Sequence, residues 1–559
     1  MAQVATPNRA ADSAAGSDVQ TMTGGQALVE MLKRQGIDTI FGLPGVQLDG
    51  LFSALYDAQN EIRVLHTRHE QATAYMADGY SRSTGKIGTC LVVPGPGLMN
   101  TMAGLATAYA NNSSVLCLSS TIHSTMIDFG RGLLHEIPNQ LGMIRSATKY
   151  AARAMSPQEV PAVFTDVIEH LLTGRPRPVE MEVPPDIFFA SGDVSVFPAV
   201  AAPERSAGDP DTRLKIAKLL GKAKSPLIIA GGGVIRSEAW DELLALAELL
   251  QAPVVLTANG KGAISDRHYL AQGELAEPAL IPKADVVLGV GTRFVKGTSS
   301  SLRPFKSVQT LIQIDIDEEE IGRNYANVIG LHADAKAALS ELIDLVATHN
   351  VHRESREEEL TAVKHAANTR AISVQPQSTF ALAIRDELPD EGIIIEDKTQ
   401  VAYWSDVGFP VYKPRTYISS GYQGTLGFGF TTSLGAKVGN PDVPVVSVNG
   451  DGGFGFTLNE LSTVVQHNIA AVTIVFNDSA YGNVKRIQEE DLGGKVIASE
   501  LLNPDYLKLG EAFGIRSYRV TTPEALRTVL RESFNSNEPS LIEVPVGPMP
   551  DHWKQLGLR

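Results

Sequence analysis

Two acidic residues follow two apolar runs in the last third of the 559-residue chain. The run "VPVVSVNG" ends at Asp451, and the run "AAVTIVFN" ends at Asp478. Carboxylate oxygens at neighbouring strand ends suit a hard cation such as Mg²⁺, which proteins commonly share with bound phosphates. Glycines let backbone N–H groups approach a phosphate, and the turn supplies Gly450, Gly452 and Gly453. The pattern predicts a site for a metal-bound diphosphate.

The alternative for the glycine turn alone is a turn followed by an ordinary hairpin or crossover. The second polar pair, Asn477-Asp478, favours a site because its spacing matches a second strand end. The segment between the two acids, about 25 residues, has the length of one helical crossover between parallel strands. In open parallel sheets, ligands bind beyond the carboxyl ends of the strands.

Strand-like runs alternate with helical patterns through most of the chain, which predicts an α/β fold. We expect three consecutive open parallel-sheet domains with helices on both faces. The first and third are similar in size but share no strong sequence repeat. The predicted boundaries are a disordered tail (1–20), a first domain (21–188), a linker rich in Ala, Pro, Ser and Gly (189–208), a central domain (209–346), a charged linking segment (347–374), a third domain (375–550) and a C-terminal tail (551–559).

Composition excludes several classes of function. The net charge of −15 disfavours nucleic acid and anionic membranes, which require a basic face. No run of ~18 uncharged apolar residues predicts a membrane span, and residues 1–20 contain no apolar signal region. Cys90 and Cys117 lie in apolar runs without a disulfide framework, as is usual in a reducing cytosol. We expect a soluble cytoplasmic protein that binds small molecules.

Six motifs occur in the order found in one known family: "FGLPG", "TRHEQATAYMADGYSRSTG", "PGPGLMN", "TGRPRPVEMEVPPDI", "SGYQGTLGFGFTTSLGAKVGNPD" and the glycine-turn stretch. From about residue 20 to 547 the chain resembles thiamine-diphosphate enzymes of the acetolactate synthase/pyruvate oxidase/benzaldehyde lyase branch. The resemblance implies a pyrimidine-binding domain, a Rossmann-like central domain and a diphosphate-binding domain.

The resemblance also implies roles for individual residues. Mg²⁺ would be held by Asp451, Asp478 and the backbone carbonyl of Ala480, although the family usually has Asn at the second position; Lys485 or Arg486 would offset the extra charge. Glu70 would hydrogen-bond the aminopyrimidine ring of the cofactor, whereas on position alone it is a helix-start glutamate. Leu426 would bend the cofactor, with core packing as its alternative. The other implied cofactor contacts are Gly45, Gln400, Gly424 and Tyr481.

In the resembling enzymes, the first domain of one subunit and the third domain of another form each site. Glu70 and Asp451 would therefore come from different chains. The resemblance implies a homodimer at least, and we expect a homotetramer.

The substrate is less constrained than the cofactor. We expect a carboligase or lyase that acts on a small 2-oxo acid, resembling acetolactate synthase, with Val46, Asn483 and Ile487 at the substrate. His135 and Glu136 lie where these enzymes carry a polar pair, and a surface loop histidine is the alternative. Alternative activities are a simple 2-oxo acid decarboxylase, a benzaldehyde lyase-like enzyme or C–C hydrolase, and a sulfoacetaldehyde acetyltransferase.

Two other classes remain open: a flavin or nicotinamide oxidoreductase and an inactive ligand-binding relative. The central glycines in "AGGGV" and "GVGTRF" are a weak signal for FAD by themselves. Structural use of these glycines is favoured over FAD.

Overall fold

The computed structural model describes residues 19–296 and 301–558. Most of the predicted disordered tail, residues 1–18, therefore lies outside the described residues. The last two positions of that tail belong to strand β1 (Val19–Thr23).

The first domain contains a six-stranded sheet in the described part of the chain. Its strands are β2 (Thr39–Gly42), β3 (Arg63–His66), β4 (Gly88–Val92), β5 (Val115–Ser120), β6 (Tyr150–Arg153) and β7 (Val179–Val183). A further strand, β8 (Ser191–Ser195), pairs with β1 in an antiparallel ribbon. The linker predicted over 189–208 thus differs from the structure at β8.

Two more sheets follow along the chain. The central sheet comprises β9 (Pro226–Ala230), β10 (Val254–Leu256), β11 (Ala271–Gln272), β12 (Val286–Val290), β13 (Thr310–Asp315) and β14 (Val328–His332). The third comprises β15 (Ile393–Glu396), β16 (Tyr417–Ser419), β17 (Val445–Gly450), β18 (Val472–Asn477), β19 (Arg516–Arg519) and β20 (Ser540–Pro545). Every pairing within these three sheets of described residues is parallel. The predicted α/β class with three open parallel sheets is confirmed.

The strand orders show how the domains are related. The first sheet runs β3-β2-β4-β5-β7-β6 and the third runs β16-β15-β17-β18-β20-β19, which is the same order counted within each domain. The central sheet runs β11-β10-β9-β12-β13-β14, the order of a dinucleotide-binding Rossmann fold. The two outer domains therefore share a topology despite lacking a visible sequence repeat.

Helices cover the faces of the sheets. The first domain has α1 (Gly24–Arg34), α2 (Asp49–Asp57), α3 (Glu70–Thr84), α4 (Pro96–Ala110), α5 (Gln140–Ile144), α6 (Val160–Leu172) and α7 (Pro185–Phe189). The central domain has α8 (Pro210–Lys222), α9 (Gly232–Ser237), α10 (Trp240–Leu250), α11 (Glu277–Leu280) and α12 (Ala335–Ala347). None of the helices in the described ranges is long and apolar enough to cross a membrane.

The remaining helices are α13 (Glu357–Ile372), α14 (Gln377–Glu387), α15 (Gln400–Gly408), α16 (Phe428–Gly439), α17 (Asp451–Phe454), α18 (Leu461–His467), α19 (Gly482–Glu490), α20 (Tyr506–Phe513), α21 (Pro523–Ser536) and α22 (His552–Gln555). Helix α13 occupies most of the predicted charged linking segment, and α22 lies in the predicted C-terminal tail.

The strands that carry the site are apolar because both faces of these sheets are covered. All six residues of β17 are buried, as are the first five of β18. Because both strands are buried on both faces, each appears in the sequence as an apolar run. Each strand then ends in a polar turn at the same edge of the sheet.

Helices α3 and α16 join the first domain to the third. Backbones approach closely at Gly79, where a Cβ would lie 2.0 Å from the Thr432 carbonyl oxygen, and at Gly435, where a Cβ would lie 1.9 Å from the Met76 carbonyl oxygen. Only glycine fits at such contacts. This junction fixes the direction of α3, which begins at the predicted catalytic residue Glu70.

Candidate active site

The carboxyl edge of the third sheet gathers the predicted diphosphate and metal residues. Asp451 follows β17 directly and begins α17, where it is 2% exposed. Asp478 follows β18, which pairs with β17. The two acids thus lie at neighbouring strand ends, as their spacing predicted.

The two carboxyl groups perturb each other. Burial raises the pKa of Asp478 to about 7, and the negative charge of Asp451 adds to the rise, whereas the Ala480 N–H donates to the Asp478 carboxylate and opposes it. Burial likewise raises the pKa of Asp451. Two adjacent carboxylates, one buried and one half-buried, are stable together when a proton or a cation is shared between them. This donor set of oxygens fits Mg²⁺.

Asn503 is a further residue of this edge, and no motif indicated it. Its Nδ2 atom donates to Asp451 Oδ2 at 2.6 Å and to Asn477 Oδ1 at 3.0 Å. Asn477 also donates to Glu543 Oε1 at 2.8 Å. The first member of the predicted polar pair is therefore held by protein partners, which leaves Asp478 as the member available to a metal.

The glycine turn is packed against its neighbours on both sides. A Cβ at Gly452 would lie 2.7 Å from the ring of Tyr481, and one at Gly453 would lie 3.0 Å from Asp397 Oδ2. A Cβ at Gly450 would lie 3.3 Å from Cβ of Thr399. The missing side chains bring the turn close to the end of β15 and to Tyr481.

Asp397 packs against this turn at Gly453. It was not predicted from the sequence. It follows β15, is buried, and accepts hydrogen bonds from the Lys398 N–H at 2.6 Å and the Gly429 N–H at 3.2 Å. Burial raises its pKa to about 6. Its position at a strand end was a signal of the same kind as that of Asp451.

Gln400 and Gly424 lie at the adjoining strand ends. Gln400 opens α15, and its buried Oε1 atom has no hydrogen-bond partner among the described residues. Gly424 adopts the left-handed conformation, at φ +59°, and a Cβ there would lie 3.7 Å from Cε of Lys398. Leu426, two residues later, is half-buried. The unpaired Oε1 atom of Gln400 and the open turn at Gly424 leave a polar atom and space for a ligand.

Lys485 and Arg486 were expected to offset the charge of Asp478. The pKa of Lys485 is raised first by its hydrogen bond with Glu500 and further by the charge of Asp478, so Lys485 does interact with that charge. Lys485 forms an ion pair with Glu500 at 2.9 Å, and Arg486 forms one with Asp551 at 2.7 Å. Lys398 is a different cation at this edge, half-buried at the end of β15.

The carboxyl edge of the first sheet gathers Glu70 and the loops around it. A Cβ at Gly97 would lie 3.5 Å from Glu70 Oε1 and 2.6 Å from Cγ2 of Val93, and a Cβ at Gly45 would lie 2.4 Å from Cγ1 of the same valine. Gly45 and Gly97 therefore both pack against Val93, and Gly97 also lies beside Glu70. This arrangement brings together the predicted aminopyrimidine contacts.

His135 and Glu136 lie beside this edge. The His135 backbone is left-handed, at φ +66°, and a Cβ at Gly95 would lie 2.3 Å from its carbonyl oxygen. Its Nδ1 atom is buried without a hydrogen-bond partner among the described residues. Glu136 accepts from the Leu133 N–H at 2.8 Å, and this bond lowers the pKa of Glu136. Glu136 thus stabilises the loop at Leu133. The Nδ1 atom of His135 has no hydrogen-bond partner among the described residues.

Three family models match successive parts of the chain. The N-terminal TPP binding domain of thiamine pyrophosphate enzymes matches residues 22–143, the central domain 214–342 and the C-terminal TPP binding domain 397–544. A probable acetolactate synthase large subunit from Methanocaldococcus jannaschii is 34% identical over 94% of this chain and 92% of its own length. The chain belongs to the thiamine pyrophosphate enzyme family.

Other relatives of this thiamine pyrophosphate enzyme differ in their named activities. A probable 2-ketoarginine decarboxylase from Pseudomonas aeruginosa is 34% identical over 94% of both chains. The large subunit of acetolactate synthase isozyme 2 from Escherichia coli is 28% identical over 95% of this chain and 97% of its own length. The family supports thiamine diphosphate as the cofactor and a transferase or lyase class for the enzyme.

The predicted substrate residues of this thiamine pyrophosphate enzyme lie near both edges. Val46 is 63% exposed next to Gly45. Asn483 and Ile487 are half-buried on α19, which starts four residues after Asp478, and Asn483 Oδ1 accepts from Arg486 Nη2 at 2.8 Å. Their helix begins soon after the strand end that carries Asp478.

The central glycines of the enzyme pack against one another. Gly231 follows β9 and Gly291 follows β12, at the point where the strand order reverses. A Cβ at Gly231 would lie 2.2 Å from the Gly291 carbonyl oxygen, and one at Gly233 would lie 2.5 Å from the Gly291 Cα. The glycines thus have a packing role that needs no ligand.

Proposed function

We propose that the protein is a thiamine diphosphate- and Mg²⁺-dependent carboligase/lyase that decarboxylates a small 2-oxo acid and transfers the acyl fragment, as the acetolactate synthase relatives are named to do. The observation that carries this proposal is the pairing of Asp451 with Asp478 at adjacent strand ends beside the glycine turn. This arrangement is what a metal-bound diphosphate needs.

Asp451, Asp478 and the Ala480 carbonyl would hold Mg²⁺, while the turn at Gly450, Gly452 and Gly453 approaches the diphosphate. A Cβ at these glycines would meet Thr399, Tyr481 and Asp397, so the absence of side chains lets the turn pack closely at this strand edge. Gln400 and Tyr481 border the same space. Asn503 holds Asp451 in place from the opposite side.

Thiamine diphosphate supplies a carbon nucleophile and an electron sink for the carbanion left when CO₂ departs. Glu70 would hold a proton against the ring nitrogen of its aminopyrimidine. Gly45 and Gly424 would border that ring, and Leu426 would keep the cofactor bent. His135, whose Nδ1 atom is buried without a hydrogen-bond partner among the described residues, would move protons near the substrate.

We propose that the active form is a homodimer at least, and a homotetramer by the resemblance. Among the described residues, the Glu70 carboxyl is hydrogen-bonded within its own domain and not to the edge of the third sheet. Exposed apolar side chains near both edges, such as Met99, Leu134 and Leu502, would be covered by a second subunit. The free, buried Cys90 and Cys117 suit a cytoplasmic protein.

A second candidate is a simple 2-oxo acid decarboxylase. The relative named a 2-ketoarginine decarboxylase favours it, because its identity and coverage equal those of the acetolactate synthase relative. Both activities use the same residues up to the loss of CO₂. They differ in whether a proton or a second carbonyl compound reaches the carbanion.

The test is to reconstitute the metal-free protein with thiamine diphosphate and Mg²⁺ and to supply a panel of 2-oxo acids: pyruvate, 2-oxobutyrate, benzoylformate and a 2-oxo acid with a guanidinium tail. Carbon dioxide, aldehyde and 2-hydroxyketone are assayed separately, with Glu70→Gln as the control. We expect CO₂ with 2-hydroxyketone. Aldehyde alone would establish the decarboxylase, and no cofactor-dependent CO₂ from any acid would overturn both.

We also propose that the central domain holds no flavin. The packing of Gly231 and Gly233 against Gly291 supports this assignment. The visible absorbance spectrum of the purified protein tests it, and a flavin spectrum in stoichiometric amount would contradict it.

A further inference from the structure

The two oxygens of the Glu70 carboxyl have different surroundings. Oε2 accepts a hydrogen bond from Asn100 Nδ2 at 3.0 Å. Oε1 faces Gly97, where even a Cβ would lie 3.5 Å away. Among the described residues, no other side chain hydrogen-bonds this carboxyl. Oε1 is therefore the oxygen left for a ligand.

The backbone that carries Glu70 is fixed by the third domain of the same chain. Glu460 is fully buried and accepts from the Arg68 N–H at 3.0 Å and the His69 N–H at 2.9 Å. Burial raises the pKa of Glu460, while these N–H groups and Thr463 oppose the rise. The backbone at the start of α3 is thus fixed by Glu460. The Glu70 carboxyl can therefore move mainly by rotation of its own side chain.

Asn100 lies in the second turn of α4, and its side chain contacts the Glu70 carboxyl. Helix α4 begins at Pro96, and its first turn includes Gly97. A Cβ at Gly97 would lie 2.6 Å from Cγ2 of Val93. The glycine keeps α4 close to the end of β4, which brings the Asn100 amide within hydrogen-bond distance of Oε2.

We propose that Asn100 is a positioning residue that decides which oxygen of Glu70 exchanges a proton with the cofactor. An amide N–H can only donate, so Oε2 must accept and stays unprotonated. The proton then resides on Oε1, which faces the open side. This inference rests on the proposed function, since it assigns the proton that Glu70 would hold against the aminopyrimidine.

Other charged groups around Glu70 do not replace this contact. Arg68 and His69 precede it, and the His69 Nδ1 atom accepts from the Gln71 N–H at 3.2 Å. Glu460 binds the backbone and does not hydrogen-bond the carboxyl. His135 contacts Gly95 through its carbonyl oxygen. Asn100 is the group whose removal changes the surroundings of Oε2 directly.

Two variants separate donation from packing. Asn100→Leu keeps the volume and removes the donor; we expect kcat to fall ten- to hundredfold, as for loss of one hydrogen bond to a charged group, with little change in KM for the 2-oxo acid. Asn100→Asp places a second carboxylate about 3 Å away, and like charges at that distance cannot both ionise. We expect the acidic limb of the pH profile to move up by about one unit or more.

The pH dependence of the tautomers of bound thiamine diphosphate, followed by circular dichroism without substrate, gives a readout that needs no turnover. Ala103→Ser, at an exposed position on the next turn of α4, is the control and should match wild type. Glu70→Gln marks full loss of the carboxyl. If both Asn100 variants keep the wild-type kcat, pH profile and tautomer titration while Glu70→Gln loses them, the proposal is overturned.

Failure of the proposed function gives a different pattern. In that case wild type would release no CO₂ from any 2-oxo acid. The tautomer titration of wild type and Asn100→Asp would still differ if Asn100 positions Glu70 against the bound cofactor, and would coincide if it does not. Melting temperatures of all variants identify any loss of folding.

Discussion

Asn503 links the two strand ends of the proposed metal site, because its amide nitrogen donates to Asp451 Oδ2 and to Asn477 Oδ1. Replacing it with Leu leaves Asp451 without this donor and frees its carboxylate to rotate. We expect the affinity for Mg²⁺ with thiamine diphosphate to fall about ten- to hundredfold, the usual cost of losing a residue that orients a metal ligand. Titration calorimetry on the metal-free protein measures it.

The matched comparison is Asn503→Gln, which keeps the amide on a longer side chain and should recover part of the affinity. Equal affinity of the Leu variant and wild type would show that Asp451 needs no support from Asn503.

Glu396 makes a pH-dependent contribution to stability. It is the last residue of β15 and is 2% exposed. Burial, with the charge of Asp406 as a further cause, raises its pKa to about 8. Between about pH 4.3, the ordinary value for glutamate, and pH 8, the folded state binds a proton that the unfolded state lacks. Its contribution is therefore present at low pH and is lost as pH rises, at about 1.4 kcal/mol per pH unit.

We expect Glu396→Gln to remove this slope, so that the variant loses less stability than wild type between pH 6 and pH 8. Denaturant unfolding at several pH values measures the difference. Glu391→Gln, at an exposed position nearby, should keep the wild-type slope. A Glu396 variant that follows wild type across this range would contradict the assignment.

Single residues differed in how well their positions in the structure could be predicted from sequence. Asp451 and Asp478 were found because each follows an apolar run, and strand ends meet at one edge of a parallel sheet. Asn503 lies in a loop without such a run, so only folding brings it to Asp451. Asn100 lay within the motif "PGPGLMN", but its contact with Glu70 depends on how two helices start side by side.

At the scale of elements, the α3–α16 junction depends on glycine. A Cβ at Gly79 would lie 2.0 Å from the backbone carbonyl of Thr432, which cannot move without bending α16. We expect Gly79→Ala to lower stability by at least about 2 kcal/mol, since overpacking of a tight contact typically costs this much. Thermal unfolding followed by calorimetry measures the loss.

Gly547 is the matched control, because a Cβ there meets no atom within 4 Å and its backbone is not left-handed. Gly547→Ala should melt within about a degree of wild type, as substitutions away from packed contacts are nearly neutral. If Gly79→Ala melts at the same temperature as Gly547→Ala, α3 and α16 have room for the added methyl group, and the tight contact inferred from these distances is wrong.

Four strands differ from β17 and β18 in their position in the sheets. β6, β11, β14 and β19 each lie at an edge of a sheet in the described structure. Central strands of parallel sheets are covered on both faces and read as apolar runs, which is how β17 and β18 were found. Edge strands are shorter or more polar, as "RSYR" in β19 shows, so their residues carry no such pattern.

At the scale of the whole molecule, the strand orders explain how one chain carries the two proposed half-sites. The first and third sheets share an order, and each gathers polar residues at its carboxyl edge. One edge carries Glu70 with Asn100, and the other carries Asp451 with Asp478. The central domain joins the outer domains but contributes none of these residues. We therefore expect a complete site to need the first edge of one subunit and the third edge of another.

Hybrid complementation tests this central claim most directly. Glu70→Gln and Asp451→Ala are each expected to be inactive as pure proteins. After differently tagged subunits are mixed and exchanged, a hybrid dimer has one site with both residues intact, so an equal mixture should recover about a quarter of the wild-type, cofactor-dependent CO₂ release. If isolated hybrids, verified by both tags, remain as inactive as their parents, Glu70 and Asp451 do not meet across subunits and the account of the site is wrong.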